Sequence, residues 1–113
     1  MKRHQLTFVL CSVFLAPVTA LAQTPRPDTS LTANPVFQKN CAKCHGKTAK
    51  GHRFGGPSLI SPKTTGTSAD KLHEIIANGK GHIPKFHMPK FGGKLTSQEI
   101  DMLVQQIRTP TAK

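Results

Sequence analysis

Cys41-Ala42-Lys43-Cys44-His45 brings two thiols and an imidazole into five consecutive residues. Two cysteines two residues apart and followed at once by histidine form the attachment pattern of a c-type haem. Positions three apart on a helical turn share a face. Both sulfurs can therefore reach one side of a porphyrin, each adding across one vinyl group. His45 then lies where its imidazole can ligate the iron. The same cysteines suit a thiol–disulfide centre or half a zinc site. The zinc reading lacks a second C-x-x-C, and the thiol reading lacks the βαβ setting of redox pairs. Covalent haem is the chemistry the motif supports best.

The elements around this motif form one small domain. Lys2 and Arg3, the apolar run Leu6 to Ala16 and Ala20-Leu21-Ala22 read as a signal peptide over 1–22, cleaved after Ala22. A run of eleven residues is too short for a stable membrane span. The expected product is soluble and exported to the periplasm, where attached haem would consume the two remaining cysteines, Cys41 and Cys44. Residues 23–33 (QTPRPDTSLTA) read as a flexible linker. A domain over 34–108 and a tail over 109–113 complete the chain. Asn34-Pro35 is a cap and first-turn pair, placing the haem motif at the end of a short helix that Gly46 terminates. Residues 47–66, with four glycines and two prolines, read as a long loop. Ser68 caps a second helix bearing Leu72, Ile75 and Ile76, and Asn78-Gly79 ends it. Thr96 to Glu99 is a capping box for a third helix, with Ile100, Leu103, Val104 and Ile107 along one face. The fold class expected is all-α, with about three main helices and long loops around one covalent haem. So small a domain has a thin core, and a large apolar cofactor would complete it.

Haem iron offers a second axial position, and the sequence supplies Met88, His52, His73, His82, His87 and Met102. Met102 adjoins the apolar stripe of the last helix and reads as packing. His73, among Asp70, Lys71 and Glu74, reads as solvated. Met88 lies in the second copy of a tandem repeat, His82-Ile83-Pro84-Lys85-Phe86 and His87-Met88-Pro89-Lys90-Phe91, in a proline-bracketed loop that cannot be helical. A thioether there can be aimed at a metal. His82 and His87 stand beside it as alternatives.

These segments together resemble the class I cytochromes c of bacteria. The resemblance spans about 75 residues and rests on Cys41-x-x-Cys44-His45, Gly56-Pro57-x-Leu59, Asn78-Gly79-Lys80-Gly81, Met88-Pro89-x-Phe91-x-x-x-Leu95-Thr96 and the final Glu99-Ile100-x-x-Leu103-Val104 helix. It implies a small cytochrome c fold, thioethers on Cys41 and Cys44, His45 as proximal ligand and Met88 as distal ligand. It implies that the Pro57 carbonyl orients His45 and that Phe37 packs near Leu103 and Val104. The chain departs from the family pattern at His82-Ile83-Pro84, where Met-Pro often follows; here Met-Pro comes five residues later.

The function expected is that of a soluble periplasmic one-electron carrier with one His/Met-ligated haem c, and not an enzyme. Two further readings are a sensor or peroxidase-like protein with a labile sixth ligand, and an electron-transfer subunit of a larger dehydrogenase or oxidase. The chain carries a net charge of +11; without Lys2 and Arg3, 14 basic residues face 5 acidic ones, leaving +9. Nucleic acid is a poor partner for an exported chain with no Trp or Tyr to stack on bases. The charge suits a monomer steered toward acidic-surfaced redox proteins. Lys85, Lys90 and Lys94 flank the Met88 loop as a candidate rim, and Arg53 or His52 as candidate propionate contacts.

Overall fold

The computed structural model describes residues 30–82 and 87–110; the expected signal peptide, most of the expected linker, Ile83 to Phe86 and the last three residues lie outside the described residues. The described elements are helical: a 3-10 turn at Leu31–Ala33, then α1 (Pro35–Asn40), α2 (Ala42–His45), α3 (Pro62–Thr65), α4 (Ala69–Asn78) and α5 (Ser97–Arg108). The β-type pairing among them is one isolated antiparallel bridge between Lys80 and Met88.

Local chemistry sets each helix start. The Asn34 side chain accepts from the Val36 N–H, and Pro35 occupies the first turn of α1, where its missing N–H is no loss. Ser61 and Ser68 cap α3 and α4 in the same way. At α5 the cap is reciprocal: the Thr96 hydroxyl accepts from the Glu99 N–H, and the Glu99 carboxylate accepts from the Thr96 N–H at 2.8 Å.

Three elements depart from the sequence expectation. The first helix is broken at Cys41, whose φ of −114° interrupts it, yet backbone bonds Cys41 N–H to Phe37 O and His45 N–H to Cys41 O carry the chain through as a second turn. Upstream, Leu31 to Ala33 was expected in the linker. Leu31 is buried in the core, and the Gln38 side chain donates to the Thr32 carbonyl, so ordered structure begins before Asn34. Within the long loop, Ser61-Pro62 nucleates α3, because a cap followed by proline favours a turn even without an apolar stripe.

The core is one cluster. It joins Leu31, Phe37 and Ala42 from the N-terminal turns, Leu72 and Ile76 from α4, Phe91 and Leu95 from the following loop, and Ile100, Leu103, Val104 and Ile107 from α5. The main helix pair is α4 on α5. The buried Asn34 amide donates to Gln106 of α5 at 2.7 Å, tying the cap of α1 to the last helix.

Candidate haem-binding site

His45 is held by the loop that follows it. The Gly51 N–H donates to its backbone carbonyl at 2.7 Å, and the Gly56 N–H donates to Cys44 O at 2.7 Å. These bonds fold residues 46–57 back across the ring. His45 Nδ1 lies 2.8 Å from the Pro57 carbonyl oxygen. A carbonyl only accepts, so Nδ1 carries the hydrogen and Nε2 keeps its lone pair for a metal. Gly56 is required by the same closeness: a Cβ there would fall 2.5 Å from His45 Cε1 and 2.6 Å from Nδ1. His45 as a whole is 8% exposed.

A cavity of about 600 Å³ opens beside this ring. Its walls include Cys41, Cys44, His45, Pro57 and Met88, together with apolar side chains such as Leu59 and Phe91. The sequence candidates thus meet at one place. Both thiols are free. Burial pushes the Cys41 thiol up to about 11, with the adjacent Cys44 adding to the effect. Reactive thiol–disulfide centres show the opposite shift, because attack needs thiolate. A thioether, which carries no charge, suits this environment better than a redox-active cysteine.

The other candidates separate. His87 lines the cavity wall, whereas His52, His73, His82 and Met102 do not. His73 is not merely solvated: its Nδ1 lies 2.7 Å from the Asp101 carboxylate, an ion pair between α4 and α5 when the ring is protonated. Met102 lines a separate groove between α4 and α5. His82 and His87 have the four-residue separation of some zinc ligand pairs. Among the described residues, however, no group of three or more His, Cys, Asp or Glu is placed to hold a metal ion.

At the cavity edge the structure adds residues the sequence did not single out. Phe54 lines the cavity yet is 81% exposed, with the Arg53 guanidinium 5.7 Å above its ring. Lys63 and Lys80 also line it. Arg53, His52, Lys90 and Lys94 do not reach its walls, and Lys85 lies outside the described residues. The only signal for Phe54 was an aromatic residue inside a glycine-rich, basic loop. Nothing in the sequence pointed to Lys63.

A haem fits this arrangement. The lining is mostly apolar, and the volume falls within the usual range for cofactor pockets, roughly 300–1,000 Å³. Two thiols and one oriented imidazole with a free Nε2 form part of its wall.

Comparison with known proteins agrees. Residues 31–107 match the protein family described as cytochrome c oxidase, cbb3-type, subunit III. The cbb3-type cytochrome c oxidase subunit FixP of Azorhizobium caulinodans is 30% identical over 76 residues, which are 66% of this chain and 25% of FixP. The chain therefore spans about a quarter of that relative. Among solved structures, the c-type cytochrome XoxG from Methylobacterium extorquens AM1 is 25% identical with a TM-score of 0.53, over 64% of this chain and 43% of XoxG. The c-type cytochrome NirC, at 24% identity and a TM-score of 0.55, covers 69% of this chain and 84% of its own, and shares the fold. With an all-α fold, a C-x-x-C-H motif on the wall of an apolar cavity and a family match over most of its length, the chain belongs to the cbb3-type subunit III family of c-type cytochromes, with covalently bound haem c as cofactor.

Proposed function

We propose that the protein is a periplasmic one-electron carrier whose haem is held by thioethers to Cys41 and Cys44 and ligated by His45 and Met88. The observation that carries this reading is the convergence of all four residues on one cavity, with Nδ1 of His45 committed to the Pro57 carbonyl. Bound haem supplies an iron that changes oxidation state by one electron. The chain's own residues do the rest. Pro57 fixes the tautomer and orientation of His45, Met88 offers a thioether that raises the reduction potential relative to a second histidine, and the apolar wall excludes water. With His45 and Met88 both committed to the iron, no position would remain on it for a substrate, which favours electron transfer over catalysis.

The domain limits proposed are a leader over 1–22 cleaved after Ala22 and a haem domain over 34–108, extended upstream to Leu31 by the buried turn. Among the described residues no helix is long and apolar enough to cross a membrane. Partners proposed are acidic-surfaced redox proteins, met as a monomer. A second reading, an electron-transfer module of a larger oxidase, is supported by the family matched over 31–107 and by FixP.

The test is the near-infrared spectrum of the oxidised holoprotein. A sulfur-to-iron band is expected, together with its loss, rapid carbon monoxide binding by the reduced form and a lower potential in Met88→Ala. A band unchanged in that variant would remove Met88 from the ligand set. Copurification with an oxidase at physiological salt would select the second reading.

A further inference from the structure

The geometry points to the C-terminal end of α4, and Gly79 above all, as the mount that positions Met88, with the His-x-Pro-Lys-Phe duplication dispensable for ligation. This rests on the reading of Met88 as a ligand and deepens it. A helix ends with carbonyls that have no partner within the helix. In α4 the Ile75 carbonyl takes the Gly79 N–H at 2.8 Å, and the next two are taken by the segment after Met88: Phe91 N–H to Ile76 O and Gly92 N–H to Ala77 O, each at 3.0 Å. The bridge adds two more bonds, Lys80 N–H to Met88 O at 3.0 Å and Met88 N–H to Lys80 O at 2.8 Å. Four backbone bonds thus fix Met88 itself and the residues just after it to the end of α4 and the residue that follows Gly79.

Gly79 makes the approach possible. Its φ is +79° with ψ 177°, a conformation that essentially only glycine adopts. A Cβ there would lie 2.5 Å from the Met88 carbonyl oxygen and 3.1 Å from both Lys90 N and the Pro89 carbonyl carbon. All three are backbone atoms, so relief requires moving the Met88 segment away from α4. None of the four bonds comes from residues 81–87. Removing His82 to Phe86 would leave Gly81 and His87 between the bridged partners. Two residues are enough to close an antiparallel bridge when the first tolerates positive φ, and Gly81 already has φ +94°. The five-residue displacement of Met-Pro therefore changes the length of the excursion and not the mount.

Three holoprotein variants test this by the near-infrared band and carbon monoxide binding. Deletion of His82 to Phe86 should keep the band and stay inert to carbon monoxide. Gly79→Ala should lose most of the band and bind carbon monoxide. Gly93→Ala, where a Cβ would meet nothing within 4 Å, should behave as the parent. Loss of the band on deletion would overturn the proposal, as would its retention in Gly79→Ala. If Gly79→Ala yields no holoprotein, the deletion variant decides alone. Failure of the ligand reading itself is separate: the parent would then lack the band, or Met88→Ala would keep it.

Discussion

At the residue scale, His45 carries the most constraint in the smallest space. Its backbone is tied by Gly51, its ring by the Pro57 carbonyl, and its far side by the bare Cα of Gly56. Gly56→Ala forces a methyl into the imidazole, so the ring must turn and the bond to Pro57 must lengthen. Losing the partner that orients a metal ligand commonly reduces metal affinity or activity about 10- to 100-fold. The expected result is a holoprotein with altered electron paramagnetic resonance g-values and a shifted potential, the haem staying attached through Cys41 and Cys44. Unchanged g-values would show that the loop gives way instead of the ring. Cys41 and Cys44 were legible as a pair from their spacing alone. Their different settings, one partly buried and one exposed, were not, since burial depends on what packs over the turn.

At the element scale, caps determine where helices begin and packing determines how they are joined. Asn34 illustrates both. The sequence marked it as a cap, and its carbonyl oxygen takes the Val36 N–H. Its amide nitrogen also reaches Gln106, 72 positions away, which no local pattern announces. Gln106 sits within the buried face of α5, where a polar residue breaks the apolar stripe. Gln106→Leu should destabilise the protein by about 1–3 kcal/mol by leaving the buried Asn34 amide without this acceptor. Chemical denaturation should show a lower midpoint with an unchanged slope. An unchanged midpoint would mean that Asn34 finds an equivalent partner. The break at Cys41 and the short α3 were missed for a related reason: both are set by single turns, too short for periodicity to reveal.

At the scale of the whole molecule, charge is divided between surfaces. Asp28 apart, every acidic residue lies on α4 or α5, while the lining of the haem cavity contains Lys63 and Lys80 and no carboxylate. Exposed Phe54 gives that edge an apolar centre. Redox encounters of this kind are small, commonly below about 1,200 Å², so a few charges weigh heavily on the association rate. Lys63→Glu should slow bimolecular reduction by an acidic redox protein several-fold at low ionic strength, with the spectrum unchanged. The difference should shrink as salt shortens the Debye length to about 3 Å at 1 M. Equal rates at low salt would place the docking surface elsewhere.

Read by itself, the sequence determined the cofactor chemistry, the main helices and the family, because these depend on short-range relations: C-x-x-C-H within a single turn, Thr96 with Glu99, apolar residues at helical spacing. It also brought Met88 forward among several sulfur and imidazole candidates. Only the tertiary structure decided which candidates share a cavity, that His73 pairs with Asp101 while His52 and Met102 lie off the haem cavity wall, and that Leu31 belongs to the core. Those outcomes depend on where α4 ends relative to α5 and on which loop carbonyl approaches a ring. Such relations join residues distant in the chain, and they are fixed by packing and by backbone groups that carry no side-chain signature.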